Sequence, residues 1–521
     1  MPTRRVTLAI AGSLVFAACS ERAESPTAPT AAATSAAEKT WVIAFKGNGL
    51  PSNVDQLVAQ AGGKIVTRVP EIGGIAATSA DPNFGANIKG SSGVLAADFS
   101  TETKLIDPIA ADVGAFSADN NGGNYSPAGP DPQGEPDALG SQQWDKMRMN
   151  VSLTGSYAVQ RGRHDVVVGV LDTGGDQFHP DIAPNLDPSR STSFVPSEPT
   201  YQDFHGHGTW CLSAVGAPIN GIGVSGVAPN VTLVAVKVLT GGGSGQFIWL
   251  DQALVYAGLN HFDVASMSLG GYIPKNGDKA GGDHTDYILL QRAVQFARSN
   301  GVLPVAAMGN ENFDLSDGSF FRSFVEAPGE IAGVVGVSAT GYYNQKAWYS
   351  SYGSPVEISA PGGSTRNYTG VPGSGAPPAA TGLLGIGRVL GAWSTTGSGT
   401  GFPDPNLGVE QCTGPANTPP CYPYAWVQGT SMATPNTAGV AALIISQYGD
   451  FGGGGNKGHM SPTTVESYLQ ISANNQPCPE PRTVIAGPGI NPPTATCQGG
   501  VGQNNFFGKG IVDALKAVTL K

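Results

Sequence analysis

Val166-Val167-Val168-Gly169-Val170-Leu171 is a nearly continuous apolar run that ends abruptly in Asp172-Thr173-Gly174. A strand with one wet face alternates apolar and polar residues; an unbroken run is covered on both faces, as in a parallel sheet layered between helices. Further runs at Leu233 to Val238, Val264 to Leu269 and Val302 to Ala307 are separated by helical patterns at Phe247 to Leu259 and Tyr287 to Ser299. That alternation predicts a doubly wound α/β domain with a parallel sheet and helices on both faces. Ligands of such sheets gather at the carboxyl ends of the strands, so the chemistry should stand just after these runs.

The first third of the chain reads differently. Arg4 and Arg5 followed by the apolar stretch Val6 to Ala18 predict an export signal over 1–19, too short to span a bilayer. Phe16-Ala17-Ala18-Cys19 resembles a bacterial lipobox, which implies acylation of Cys19; an ordinary secretory cut nearby is the other reading. Either way the chain is exported, to the extracellular space or the cell envelope, and membrane association is expected only through that lipid. Residues 20–39, rich in Ala, Thr, Pro and Ser, predict a flexible tether. Over 40–106 the pattern is strand (Trp41 to Lys46), helix (apolar Val54, Leu57, Val58 and Ala61, stopped by Gly62), strands at Lys64 to Val69 and Gly74 to Thr78, a short helix at Pro82 to Ile88, and a strand from Val94. This βαββαβ order predicts a small ferredoxin-like α+β domain. Residues 107–141, dominated by Gly, Pro, Asp, Asn and Ser, predict an exposed linker open to proteolysis, before a large domain over 142–521.

Charge narrows the partners. Lys+Arg 28 against Asp+Glu 39 leaves a net charge of -11 with no basic run, which excludes a phosphate-backbone footprint and hence nucleic acid. With Cys19 acylated or removed, five of the 6 cysteines remain, so one stays unpaired. Cys412 with Cys421 and Cys478 with Cys497 close short Pro-rich loops and are the expected disulfides of an exported chain; Cys211 is then the free thiol.

Three motifs follow the expected strands or open an expected helix: Asp172-Thr173-Gly174, Gly206-His207-Gly208-Thr209 and Gly429-Thr430-Ser431-Met432-Ala433-Thr434-Pro435. With Val227-Ala228-Pro229, Ser266-Met267-Ser268-Leu269-Gly270-Gly271 and Ala306-Ala307-Met308-Gly309-Asn310-Glu311, they resemble the subtilisin-like serine peptidases in residue order, over most of Gln142 to Val518. The chemistry explains the residue types. A serine hydroxyl is a weak nucleophile until a neighbouring base takes its proton, which His207 can do for Ser431. A buried carboxylate, here Asp172, holds the imidazole in one tautomer and balances its developing charge. The resemblance places the Asn310 side chain and the Ser431 N–H at the oxyanion, beside the N-terminus of a helix that begins at Ser431, with Pro435 in a tolerant first turn.

The resemblance implies more. It makes Ser266, Met267, Ser268, Leu269, Gly270 and Gly271 the strand that pairs with an extended peptide substrate, with low sequence preference. It makes the ferredoxin-like domain an inhibitory prodomain, the chain's own intramolecular partner, and the chain a monomer. It assigns a structural Ca²⁺ to the side chains of Asp181 and Asn220 with Gln142 and the carbonyls of Pro218, Ile222 and Val224, an oxygen shell suited to a hard cation. No cofactor is needed for the chemistry itself. His205 reads as solvated loop and Asp203 as a surface aspartate or a rim acid near the substrate. Trp210 and Asn436 stand where the family usually has histidine, Cys211 matches the proteinase K-like branch, and Gly362 to Pro423 holds inserted loops. Two other readings remain at this level: a silent binding module that keeps the groove, and a serine esterase, for which the Gly-x-Ser-x-Gly elbow is missing.

Overall fold

In the computed structural model the described residues are 38–105, 137–276, 284–365, 387–396, 408–414, 418–452, 459–485 and 494–521. The export signal and nearly all of the tether lie outside them, as does the linker from 106 to 136.

The first four strands, β1 (Lys39–Phe45), β2 (Lys64–Val69), β3 (Gly74–Ser79) and β4 (Val94–Phe99), pair antiparallel in the order β2-β3-β1-β4, with helices Val54–Gln60 and Phe84–Lys89 between them. Strand alternation then sorts β1 between two cores. Trp41, Ile43 and Phe45 pack with Val54, Val58, Phe84 and Ile88, while Val42 and Ala44 face Phe247, Leu250, Leu254, Leu289 and Val294 of the larger domain. The chain from Glu38 to Lys521 is one compact unit. β5 (Glu102–Leu105) leaves this small sheet and joins another, described below.

The larger domain is built on seven parallel strands. In chain order these are β6 (Val167–Asp172), β7 (Thr192–Ser193), β8 (Thr232–Lys237), β10 (Val264–Met267), β12 (Leu303–Ala307), β14 (Val335–Thr340) and β15 (Ile358–Pro361), in the spatial order β15-β14-β12-β10-β6-β8-β7. Every residue of β6 is buried, and its alternation splits the domain core: Val166, Val168 and Val170 pack with helices His207–Gly216 and Thr430–Tyr448, Val167 and Leu171 with helices Phe247–Leu259 and Thr285–Ser299. Burying each such side chain contributes about 1.5–3 kcal/mol, which is why a run without polar relief folds this way.

One expected strand divides in two. Val264 to Leu269 breaks at Ser268 into β10 and β11 (Leu269–Pro274), and β11 leaves the parallel sheet for an antiparallel one with β13 (Phe324–Ala327), β5 and β9 (Ser244–Gln246), in the order β13-β11-β5-β9. Ser266 and Met267 are therefore not substrate-pairing residues. Ser266 is paired on both sides, with Val305 and Val170, and Met267 pairs with Ala306 inside the sheet.

The described parts of the inserted region form a three-stranded sheet, β16 (Val389–Ala392), β18 (Thr418–Val427) and β17 (Gly408–Gly414), in that order, with the disulfide Cys412–Cys421 across its hairpin. It packs on the helix that starts at His207: Trp210 is fully buried and donates Nε1–H to Ala425 O at 3.2 Å. Asn436, the other departure, accepts from buried Lys146 Nζ at 2.7 Å and donates to Asp145 Oδ2 and Pro361 O, so it ties the start of the domain to the central helix.

Candidate active site

Asp172 ends β6, His207 opens its helix and Ser431 is the second residue of helix Thr430–Tyr448, so three separate elements bring the three side chains to one edge of the sheet. His207 Nδ1 donates to Asp172 Oδ1 at 2.8 Å. Thr173 N–H reaches the same oxygen at 2.7 Å. Burial alone would depress the imidazolium, but the Asp172 carboxylate outweighs it and holds the His207 pKa well above its ordinary value. The glycines flanking His207 have steric causes. Gly206 has φ +117°, and a Cβ on Gly208 would stand 2.2 Å from Gly174 O, the turn after Asp172.

Ser431 Oγ donates to Ser268 O at 3.2 Å, and His207 Nε2 has no hydrogen-bond partner among the described residues. Asn310, just past β12, has its Oδ1 held by Thr430 N–H and Oγ1–H, both at 2.9 Å, which leaves the amide N–H₂ to act as donor. Cys211 is fully buried, with Sγ 3.8 Å from both His207 Nδ1 and Ser431 O. Burial pushes its thiol pKa up. Cys478 is paired with Cys497, so the free cysteine is the expected one.

Asp203 is neither surface aspartate nor rim acid. It is fully buried, and its carboxylate accepts from Thr173 Oγ1, the N–H groups of His205, Gly206 and Thr209, and Thr209 Oγ1, at 2.7 to 2.9 Å. Desolvation opposes this charge, yet those donors hold its pKa below the usual carboxylate value. Its task is to fix the His207 loop onto the Asp172 turn. His205 is half-buried, its ring 6.1 Å from that of Trp393.

β11 starts beside Ser268, which holds the Ser431 hydroxyl. β11 pairs with β5 through Leu269↔Leu105 and Gly270↔Lys104, and β5 pairs with β9 through Thr103↔Gly245 and Lys104↔Ser244. Leu105 N–H donates to Gly243 O at 2.8 Å, and Thr103 is fully buried. β5 is thus held on both edges by main-chain bonds, in the manner of an added peptide strand.

These elements identify the scaffold. The subtilase family model matches residues 163–510. The chain belongs to the subtilase family. Subtilisin E of Bacillus subtilis is 35% identical over 285 residues, 54% of this chain and 56% of that protein, so the match spans little more than half of that relative. Subtilisin Savinase of Lederbergia lenta is 35% identical over 295 residues, covering 57% and 78%. Among solved structures, the epidermin leader peptide processing serine protease of Staphylococcus aureus has TM-score 0.65 at 20% identity, covering 93% of this chain and 98% of that one. Fervidolysin of Fervidobacterium pennivorans has TM-score 0.61 at 19%, covering 94% and 62%. Both show this subtilase's fold.

The region expected to hold calcium is partly redrawn. Asn220 Nδ2 donates to Asp181 Oδ1 at 3.2 Å, and Val224 N–H to Asp181 Oδ2 at 3.0 Å; Pro218 and Ile222 stand on the same loop. Gln142 is not tied to them by a hydrogen bond: its Oε1 is buried without a partner among the described residues, an acceptor left open for a cation, while its neighbour Gln143 binds Ser225. Asp137 stands there as well, accepting from the N–H groups of Asn220 and Gly221 and from the Ser225 hydroxyl. The domain therefore begins at least at Asp137, five residues before the expected boundary. Burial, with Asp137 as a like charge nearby, pushes Asp181 up to about 7. Two buried carboxyls, an amide oxygen and loop carbonyls fit a hard cation by chemistry. β18 closes the site from the other side, where the Tyr424 hydroxyl and Asp181 Oδ2 both crowd against Gly223.

Proposed function

We propose that this subtilase is an exported serine endopeptidase that cleaves extended or unfolded polypeptides through an acyl-enzyme. The observation that carries the reading is the alignment of groove and nucleophile: β11 runs straight on from Ser268, whose carbonyl holds the Ser431 hydroxyl. A peptide lying where β5 lies is led to that serine. Ser431 attacks the peptide carbonyl while His207 Nε2 takes its proton, Asp172 stabilises the imidazolium, and His207 returns the proton to the leaving amine. The Asn310 amide and the Ser431 N–H, at a helix N-terminus, receive the oxyanion. Water then releases the acyl group.

The chain's first domain supplies the natural inhibitor in this reading. Its β5 fills the groove, and its sheet covers the helices Phe247–Leu259 and Thr285–Ser299, so activation requires a cut in the linker and release of the domain. Calcium, where bound, supplies rigidity: Asp137, Asp181 and Asn220 would hold it and lock the 217–224 loop onto β18.

A fluorophosphonate probe with a casein assay tests this. The processed wild-type protein should label at Ser431 and hydrolyse casein, whereas Ser431→Ala should do neither and should accumulate uncut in a protease-free preparation. A folded wild-type protein that takes no label would instead mark a silent binding module.

A further inference from the structure

Behind the turn that carries Asn310 lies a lysine that the chemistry above leaves unused. Lys346 is 2% exposed, and its Nζ donates to Asn312 Oδ1 at 2.7 Å and Ala347 O at 3.1 Å. The rings of Tyr352 and Phe506 lie 5.2 and 5.6 Å from the nitrogen. Among the described residues it forms no ion pair, and burial holds its pKa well below the usual lysine range. Methionine would fill this space without desolvating an amine, which is costly when poorly compensated. The side chain that gains from the lysine is Asn312.

Asn312 sits two residues past Asn310 in the left-handed region, with φ 55°, and Gly309, one residue before it, has φ 97°. A turn with two such residues needs outside support to hold one shape. The segment 346–351 gives it: Asn312 N–H donates to Tyr349 O at 2.6 Å, Ser351 N–H to Gly309 O at 2.9 Å, and Phe313 N–H to Ser351 Oγ at 3.3 Å. Lys346 adds the side-chain tie of this strap, and Asn310 lies between its anchor points.

We propose that Lys346 is a positioning residue for the oxyanion donor, acting through Asn312 to fix the turn that aims the Asn310 amide. The proposal rests on the reading of Asn310 given above. An oxyanion donor works only where it is pre-aimed, and a displacement of about 1 Å can cost a hundredfold.

The test is a double-mutant cycle on the processed enzyme, read by kcat, KM and the inhibition constant of a peptide boronate. Lys346→Met should lower kcat by about tenfold or more, leave KM within about twofold, and weaken the boronate by the same factor as kcat/KM. In an Asn310→Ala background the same substitution should have almost no further effect, because its target is gone. An equal loss in both backgrounds would mean general packing and would overturn the proposal, as would an unchanged kcat in Lys346→Met. If Asn310→Ala itself leaves kcat unaltered, the oxyanion reading falls, and the positioning role with it. Should Lys346→Met fail to fold, Asn312→Gly keeps the left-handed turn, removes the acceptor and is read in the same cycle.

Discussion

Pro435 stands four residues after Ser431 and has no N–H to give the Ser431 carbonyl, which takes the Ser268 hydroxyl at 2.7 Å instead. Pro435 lies in the sixth position of the helix, beyond the first turn where a proline is free of cost, so the missing bond is real. Ser431 is thereby tied to Ser268 twice, through its carbonyl and its hydroxyl. Ser268→Ala should leave that buried carbonyl only the weak Cys211 S–H donor, costing about 1–3 kcal/mol of stability, and should lower kcat. Ser268→Ala with Pro435→Ala returns a helical N–H to that carbonyl, so calorimetry should show most of the lost stability restored. Equal unfolding temperatures for the single and double variants would refute this.

A second prediction concerns pH and the small domain. Asp286 opens the helix Thr285–Ser299 and accepts Thr101 N–H at 2.9 Å, just before β5. Asp251, on the adjacent helix, is fully buried with neither carboxyl oxygen bonded among the described residues. Burial pushes Asp286 up to about 7, with Asp98 of β4 adding to it, and holds Asp251 well above its ordinary value, with Asp286 adding. The neighbouring Glu102 and Lys104 are exposed, Arg292 is bound to Phe45 O and Ile72 O, and His284 makes no hydrogen bond through Nδ1 among the described residues. A carboxyl whose pKa is raised by docking favours the docked state at low pH. That advantage is lost as pH climbs from the ordinary carboxylate value of 3.8 through about 7. Amide exchange of β4 and β5 in full-length Ser431→Ala should therefore quicken between pH 5 and 8, and Asp286→Asn should flatten the trend. A pH-independent opening equilibrium, after correction for intrinsic exchange, would count against it.

Legibility in the sequence followed how local each cause is. β6 was readable because six apolar residues allow no other strand environment, His207 because its flanking glycines are steric needs of its turn, and Ser431 because its motif opens an apolar helix. The break between β10 and β11 was not: in Val264 to Leu269 nothing local tells Ser268 from Ser266, and what sets Ser268 apart is its tie to Ser431, far away in sequence. Asp203 looked like a loop acid because its five donors come from a turn that exists only once Asp172 and His207 are together. Asp137 was hidden in a Pro- and Gly-rich stretch. Its signal was Leu139, an apolar residue there that anchors the segment through a hydrogen bond from its N–H to Gly223 O at 2.8 Å.

The third prediction separates Asp137 from Gln142 as the calcium ligand. A cation held only by the native state stabilises it by RT ln(1 + [L]/Kd), about 2.7 kcal/mol at a hundredfold excess over Kd. Slow equilibration with chelator should lower the unfolding temperature of the wild type. Asp137→Asn should lower it beforehand and blunt the response to chelator, while Gln142→Ala should respond like the wild type. The reverse pattern would assign the cation to Gln142 and not Asp137, and no chelator effect on any of the three would remove calcium altogether.

The last prediction follows from Cys211. Its sulfur lies 3.8 Å from His207 Nδ1, the nitrogen that Asp172 holds, and 3.8 Å from the carbonyl of the nucleophile. A mercurial bonded to that sulfur would need room that is not there, because the thiol is wholly buried. The ion must therefore displace the imidazole from Asp172, and the base would lose both its tautomer and its aim. Access and ionisation set the pace. A thiol whose pKa is raised by burial offers little thiolate, so inhibition should develop slowly and reverse with excess free thiol. Labelling by a fluorophosphonate should fall in step with hydrolysis, since both need the same base. Cys211→Ser keeps the volume and a hydroxyl donor for the Ser431 carbonyl, and should retain activity while losing the sensitivity. Persistent inhibition of that variant at the same mercurial concentration would place the reactive group elsewhere and sink this account of the site.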